Sequence, residues 1–264
     1  MSNYSLKVLD DKLATGDARL TTRELQEQLG ISPQSASNLL ARWREAGLVD
    51  QVARGHYAIR QLGLLGTRAA SEDIALAVGA FFAGEPHRIG YRSALDCHGL
   101  LTHPARTIQV ACPRRITAKQ LSGRALQTIL EPQGTVVIGA EDAGHGAFVS
   151  GIERSLLDAA MRLDLVGGVN VLAEALSAAD VDPEVLSDLA RDLGATTALR
   201  RIGSLADQLR LPGLEERLEP AATPARSIQL DPRSPTASDH VFRDRRWRVV
   251  WPTPPRQLAE ALRQ

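Results

Sequence analysis

Apolar residues recur at helical spacing from the start of the chain. Leu6, Leu9 and Leu13 line one face, which predicts a first helix. The run "LTTRELQEQLGISPQSASNLLARWREAGLV", Leu20 to Val49, repeats the pattern twice. Thr21 and Thr22 are candidate N-caps, and Glu24 suits the positive end of a helix. Leu25 and Leu29 share the inner face, and Gly30 predicts a left-handed stop. Ser32 and Pro33 then open a second helix as its cap and first residue. That helix is expected from about Pro33 to Ala46, with Ala36, Leu39, Leu40 and Trp43 buried and Gly47 at its end.

The stripe leaves Gln34, Ser35, Ser37, Asn38, Ala41 and Arg42 outside, with no acid before Glu45. Amides of this kind pair with adenine, and Arg pairs with guanine. Two helices joined by a tight Gly-bearing turn form a helix-turn-helix. "LVDQVARGHYAI" follows as strand (Leu48 to Val52), turn (Arg54-Gly55) and strand (His56 to Ile59), the hairpin of a winged helix. An Arg at its tip reaches phosphate or the minor groove. The candidate DNA-binding set is Gln34, Ser35, Ser37, Asn38, Arg42, Arg54 and His56.

Downstream, "QLGLLGTRAAS" from Gln61 to Ser71 reads as a boundary. Helices are expected over Asp73–Phe82, around Tyr91–His98, and over Ile152–Leu163, Val169–Ala179, Pro183–Leu193 and Thr196–Leu209. Arg106–Cys112 alternates as a strand, Gly134–Ala140 reads as a more buried one, and Gly139–Gly146 reads as a hairpin or loop. "LEPAATPAR" is a linker by composition. Strands return at Ser227–Leu230 and Trp247–Trp251, before a capped last helix in "TPPRQLAEALRQ".

Composition narrows the function classes. A hydrophobic fraction of 44% supports packed cores. With 31 basic and 31 acidic residues the formal net charge is zero, so a general polyanion binder is excluded and any DNA contact must be a local surface. Two cysteines make no disulfide framework. No apolar run reaches the roughly eighteen residues of a membrane span, and the first residues lack a signal-like stretch, so a cytoplasmic location is expected. Cys97, His98, His103 and Cys112 have no regular zinc-ligand spacing, with both cysteines expected in the core, and no metal or cofactor is expected. Tyr91, Arg92, Ser93, Asp96 and His98 read as a capped helix, Ser93 and Asp96 resembling a capping box, rather than as a catalytic cluster. No G-x-S-x-G, P-loop or G-x-G-x-x-G is present, and no enzyme is expected. Arg154 and Asp158 stand at i, i+4, as an ion pair does on an exposed helix face, or as part of a polar network that anchors the domain or faces a partner. Arg106, Arg114, Arg115, Lys119 and Arg124 make a locally basic segment, as do "FRDRRWRVVW" and "ARSIQL". Each is either a solvated face or a second nucleic-acid surface that helps clamp DNA.

Three segments, in order, carry a family resemblance: "ARGHYAI" from Ala53, "YRSALDCHGLLTHPARTIQVACPRR" from Tyr91, and "GIERSLLDAAMRL" from Gly151. Together they resemble the AbiEi-type antitoxins of bacterial toxin–antitoxin systems. The last third of the chain fits that likeness less distinctly. The resemblance implies an α+β protein, with a winged helix-turn-helix at residues 1–68 and a larger, helix-rich α/β antitoxin domain at residues 69–264. A sub-boundary near 150 and a linker near 219–226 are expected within the latter. It also implies an antitoxin that represses its own operon by binding double-stranded DNA at its promoter. The implied second partner is a cognate nucleotidyltransferase-like toxin, countered directly or indirectly. The competing expectation is a ligand-responsive winged-helix regulator whose C-terminal domain binds a small molecule.

Overall fold

The computed structural model describes residues 3–60, 74–214, 216–219, 226–234 and 241–262, with side chains from residue 6 on. The expected boundary at residue 68 and most of the expected 219–226 linker lie outside the described residues. In chain order the elements are α1 (Asn3–Ala14), β1 (Arg19–Thr21), α2 (Thr22–Leu29), α3 (Pro33–Glu45), β2 (Val49–Ala53), β3 (His56–Ile59), α4 (Ile74–Phe82), β4 (Arg88–Ile89), α5 (Tyr91–Cys97), β5 (Thr107–Cys112), β6 (Gln120–Leu121) and β7 (Arg124–Leu130). They continue with α6 (Gln133–Val136), β8 (Ala140–Gly144), β9 (Ala147–Ser150), α7 (Ile152–Met161), α8 (Leu163–Val166), α9 (Val169–Ala178), α10 (Pro183–Asp192), α11 (Thr196–Leu209), β10 (Ile228–Gln229), β11 (Phe242–Asp244), β12 (Val249–Trp251) and α12 (Pro255–Ala261). They fall into two compact units. The first comprises Met1–Ile89, Arg106–Val137 and Glu141–Val149, and the second Gly90–Ala105, Ile138–Ala140 and Ser150–Gln264.

The first unit begins with a winged helix. Leu9, Leu20, Leu25, Leu40, Trp43, Val49 and Ile59 bury together as its core. Beside it lies a six-stranded mixed sheet in the order β6-β7-β5-β4-β9-β8. The two are joined by hydrogen bonds and close packing. Ser122 N, in the β6–β7 turn, donates to Val52 O of the wing at 2.9 Å. On α4, a Cβ at Gly79 would stand 2.1 Å from His145 O, so only glycine lets the β8–β9 turn rest on this helix.

The stretch 134–140 is not the buried strand its apolar run suggests. It opens as α6 behind Pro132, and Val137 is exposed. Arg88 explains the difference: its buried guanidinium donates to Val136 O at 2.7 Å and pairs with Glu131 at 3.2 Å. A cation on the last carbonyls of a turn favours helix there. The strand of this region is β7, parallel to β5 from Thr107↔Ala125 to Cys112↔Leu130.

His87 is buried between Phe82 and Phe148, with ring centroids at 5.1 and 5.8 Å. Its Nδ1 lies 2.8 Å from Glu85 O. Burial holds the imidazole below its usual value. The unfolded chain therefore takes up the proton first. Stability from neutral His87 is complete above the unfolded value and is lost as pH falls through it towards the folded one. The unfolding free energy from urea titration should fall on acidification below about pH 6.5, by up to about 1.4 kcal/mol per pH unit. A His87→Phe variant should lack this component, and a pH profile identical to wild type would refute the assignment.

The second unit packs α5, α9, α10 and α11 around α7. Its C-terminal sheet, in the order β10-β12-β11, pairs β10 parallel and β11 antiparallel to β12. Two buried arginines of α11 bind this irregular segment. Arg200 donates to the carbonyls of Trp247, Arg226 and Arg248, and Arg201 to those of Gln229 and Ala160. Burial lowers the pKa of both.

Three readings of this region are corrected. Gly90, not Ser93, is the N-cap of α5, and Asp96 instead accepts from Ala105 N at 3.0 Å. Cys97 is exposed, while Cys112 is buried. No side chain caps α12, which starts behind Pro254.

Candidate nucleic-acid interface

The outward face of α3 is set by its two ends and its buried stripe. Gly30 closes α2 at φ 62°, and Ser32 Oγ accepts from Ser35 N at 3.2 Å to open α3. Ala36, Leu39, Leu40 and Trp43 bury. That rotation leaves Gln34, Ser35, Ser37, Asn38, Ala41 and Arg42 exposed. Thr21 caps α2 through a full capping box: its hydroxyl accepts from Glu24 N, and Glu24 accepts from Thr21 N at 2.7 Å. The helix pair is therefore held at both N-termini by its own sequence.

Two polar pairs organise the face. Gln34 Nε2 donates to Asn38 Oδ1 at 3.1 Å. Arg44 Nη1 donates to Gln51 Oε1 at 3.0 Å, linking the end of α3 to the wing. Arg44 and Gln51 are absent from the expected set. Their signals were a basic residue in the last helical turn and the outward position in β2, between buried Val49 and Val52.

The wing is short. Ala53 pairs with His56, so its turn is Arg54-Gly55 alone, and Thr22 N donates to Gly55 O at 3.0 Å. Arg54 is exposed at that turn. His56 is half-buried against α4, its ring 4.9 Å from that of Phe81 and its Nδ1 3.4 Å from Ala80 O. The structure thus gathers six of the seven expected residues on the exposed surface of α3 and the wing turn, and packs His56 beneath.

Of the second basic group, Arg106, Arg115 and Lys119 are exposed and Arg124 is half-buried. Arg114 is bound by Glu85 through two guanidinium nitrogens, one at 2.8 Å, which offsets its charge. No group of three or more His, Cys, Asp or Glu among the described residues could hold a metal ion. No helix among them is long and apolar enough to cross a membrane.

Comparison with known proteins gives two family matches and a structural likeness. Residues 13–56 match the MarR family, and residues 88–208 match the AbiEi antitoxin C-terminal domain. The crystal structure of the RV2827C protein from Mycobacterium tuberculosis superposes with a TM-score of 0.64 at 19% identity, covering 100% of this chain and 96% of that one. At that identity the likeness concerns the fold. No curated protein matches the chain.

Proposed function

We propose that this chain is an antitoxin that also represses its own operon, since residues 88–208 match the AbiEi antitoxin C-terminal domain and residues 13–56 match the MarR family. The observation that carries the repressor half is the polar face of α3, exposed from Gln34 to Arg42 and clear of acid until Glu45. Its dimensions suit the major groove, and amide and guanidinium groups are the side chains that read bases there. The family match supports the antitoxin half. The partner proposed is a nucleotidyltransferase-like toxin encoded beside it. Arg106, Arg115 and Lys119 are proposed to add phosphate contacts outside the groove.

The test supplies the chain in trans to cells expressing the toxin and carrying a reporter on the chain's own promoter. Growth should be rescued and the reporter repressed. Arg42→Ala and Arg54→Ala should each lower the salt slope of promoter binding by about one unit per lost phosphate contact. Both should weaken repression and leave rescue intact. An unchanged slope removes these two residues from the interface, and absence of rescue by wild type removes the antitoxin assignment.

One observation favours the competing reading of a ligand-responsive regulator. The second unit has an open groove of about 550 Å³, with Leu230, Trp251 and Leu258 as apolar wall and Asp231, Arg233 and Ser234 as polar rim. Ligand pockets occupy about 300–1,000 Å³. Repression that depends on growth medium, without rescue, would point to it.

A further inference from the structure

We propose that Gln34 and Asn38 act as one hydrogen-bonded unit that reads a single adenine in the major groove. The inference rests on the DNA-reading assignment of α3 made above and names the base it selects.

The two amides stand one turn apart on the exposed face, Gln34 Nε2 donating to Asn38 Oδ1 at 3.1 Å. Each amide carries an acceptor oxygen and a nitrogen with two N–H donors, so Gln34 Nε2 keeps one N–H beside the bond. With one nitrogen engaged by the other's oxygen, the pair presents Gln34 Oε1 as an acceptor and Asn38 Nδ2 as a donor. Exchanging oxygen and nitrogen in both side chains reverses the bond, yet one acceptor and one donor still face outward. The pattern does not depend on which way the amides are turned.

Base edges in the major groove differ in this pattern. Adenine offers a donor at N6 beside an acceptor at N7. Guanine offers two acceptors, so the oxygen of the pair would face O6. Thymine offers one acceptor and a methyl group, and cytosine a lone donor. Adenine pairs with the acceptor and the donor at the two ends together, whereas guanine meets only N–H donors and leaves Gln34 Oε1 unpaired.

The neighbouring residues fit this assignment. Ser35 Oγ lies 2.9 Å from Ser32 Oγ, the hydroxyl that caps the helix by accepting from Ser35 N. Ala41, exposed and one turn past Asn38, offers an apolar contact of the kind a thymine methyl takes. The intrahelical bond also orders two flexible side chains before DNA arrives, which lowers the entropy cost of binding.

The test is selection of a randomised duplex library by the full-length protein, followed by affinity measurements on the selected sequence. Wild type should enrich adenine at one position of its site, and guanine there should weaken binding by about 5- to 150-fold. Gln34→Ala and Asn38→Ala should each erase the preference at that same position. The double variant should lose no more than either single one, because either change dissolves the unit. Gln34→Glu should move the preference towards cytosine, since a carboxylate accepts from N4. Both positions are exposed, so melting temperatures should match wild type.

Losses at two different positions, or additive losses, would overturn the unit while leaving α3 as the reading helix. Enrichment unchanged in every variant would do the same. A wild-type protein that enriches nothing would overturn this inference together with the DNA-reading assignment beneath it.

Discussion

The second unit of an Asp158→Ala variant should unfold at a much lower urea concentration than wild type. Asp158 and Arg154 are both fully buried on α7, joined at 2.8 Å. Ser150 Oγ donates to the second oxygen of Asp158 at 3.3 Å, and Arg154 Nη1 donates to Ile138 O at 2.7 Å. Removing the carboxylate leaves a buried guanidinium without its counter-charge, which costs about 3–5 kcal/mol. Domain stabilities are only about 5–15 kcal/mol, so much of the total goes. A double variant, Arg154→Leu with Asp158→Ala, should recover part of the loss, because no charge is then left buried. The fluorescence of Trp247 and Trp251 reports this unit in a Trp43→Phe background, since Trp43 lies in the first unit. An Asp158→Ala midpoint equal to wild type would show that the pair adds no stability.

Gly203→Ala should be strongly destabilising, against the ordinary rule. Alanine in a helix interior is normally better than glycine by about 1 kcal/mol. Gly203 lies inside α11, and a Cβ there would stand 2.2–2.4 Å from three atoms of the Trp247 ring. That ring is fully buried, and its Nε1 donates to Asp207 Oδ2 at 2.8 Å, so it cannot swing aside cheaply. Overpacking of this kind costs about 1–3 kcal/mol, and the helix-propensity gain offsets little of it. Gly134→Ala is the control: Gly134 lies in α6 and its Cβ would meet nothing within 4 Å. That variant should be neutral or slightly stabilising in the same urea titration. A Gly203→Ala protein as stable as wild type would mean that the C-terminal sheet can move off α11.

Local order was legible wherever it is written in neighbouring residues. The cap–apolar–glycine grammar of α2 and α3 needs contacts only a few residues apart, so Thr21, Gly30, Ser32 and Pro33 announce it directly. Helical spacing likewise placed α7, α9, α10 and α11 to within a few residues. The outward face of α3 followed from the same periodicity, since burying Ala36, Leu39, Leu40 and Trp43 leaves Gln34, Asn38 and Arg42 outside. Expectations failed where a distant partner decides. Residues 134–140 read as a strand until Arg88, more than forty positions earlier, takes the last carbonyls of α6. The spacing of Arg154 and Asp158 fits a surface pair and a buried network alike, and their burial comes only from the helices packed around α7.

The chain by itself determined the winged helix, the helical run from Ile152 to Leu209 and the exposed polar face of α3, because each is periodic and locally capped. Tertiary structure alone decided which polar groups are buried. It also decided that the wing is bound to the six-stranded sheet through Val52 and Ser122. Those outcomes depend on segments far apart in sequence meeting at hydrogen-bond distance. Neither the period of a helix nor the chemistry of a cap encodes such a meeting.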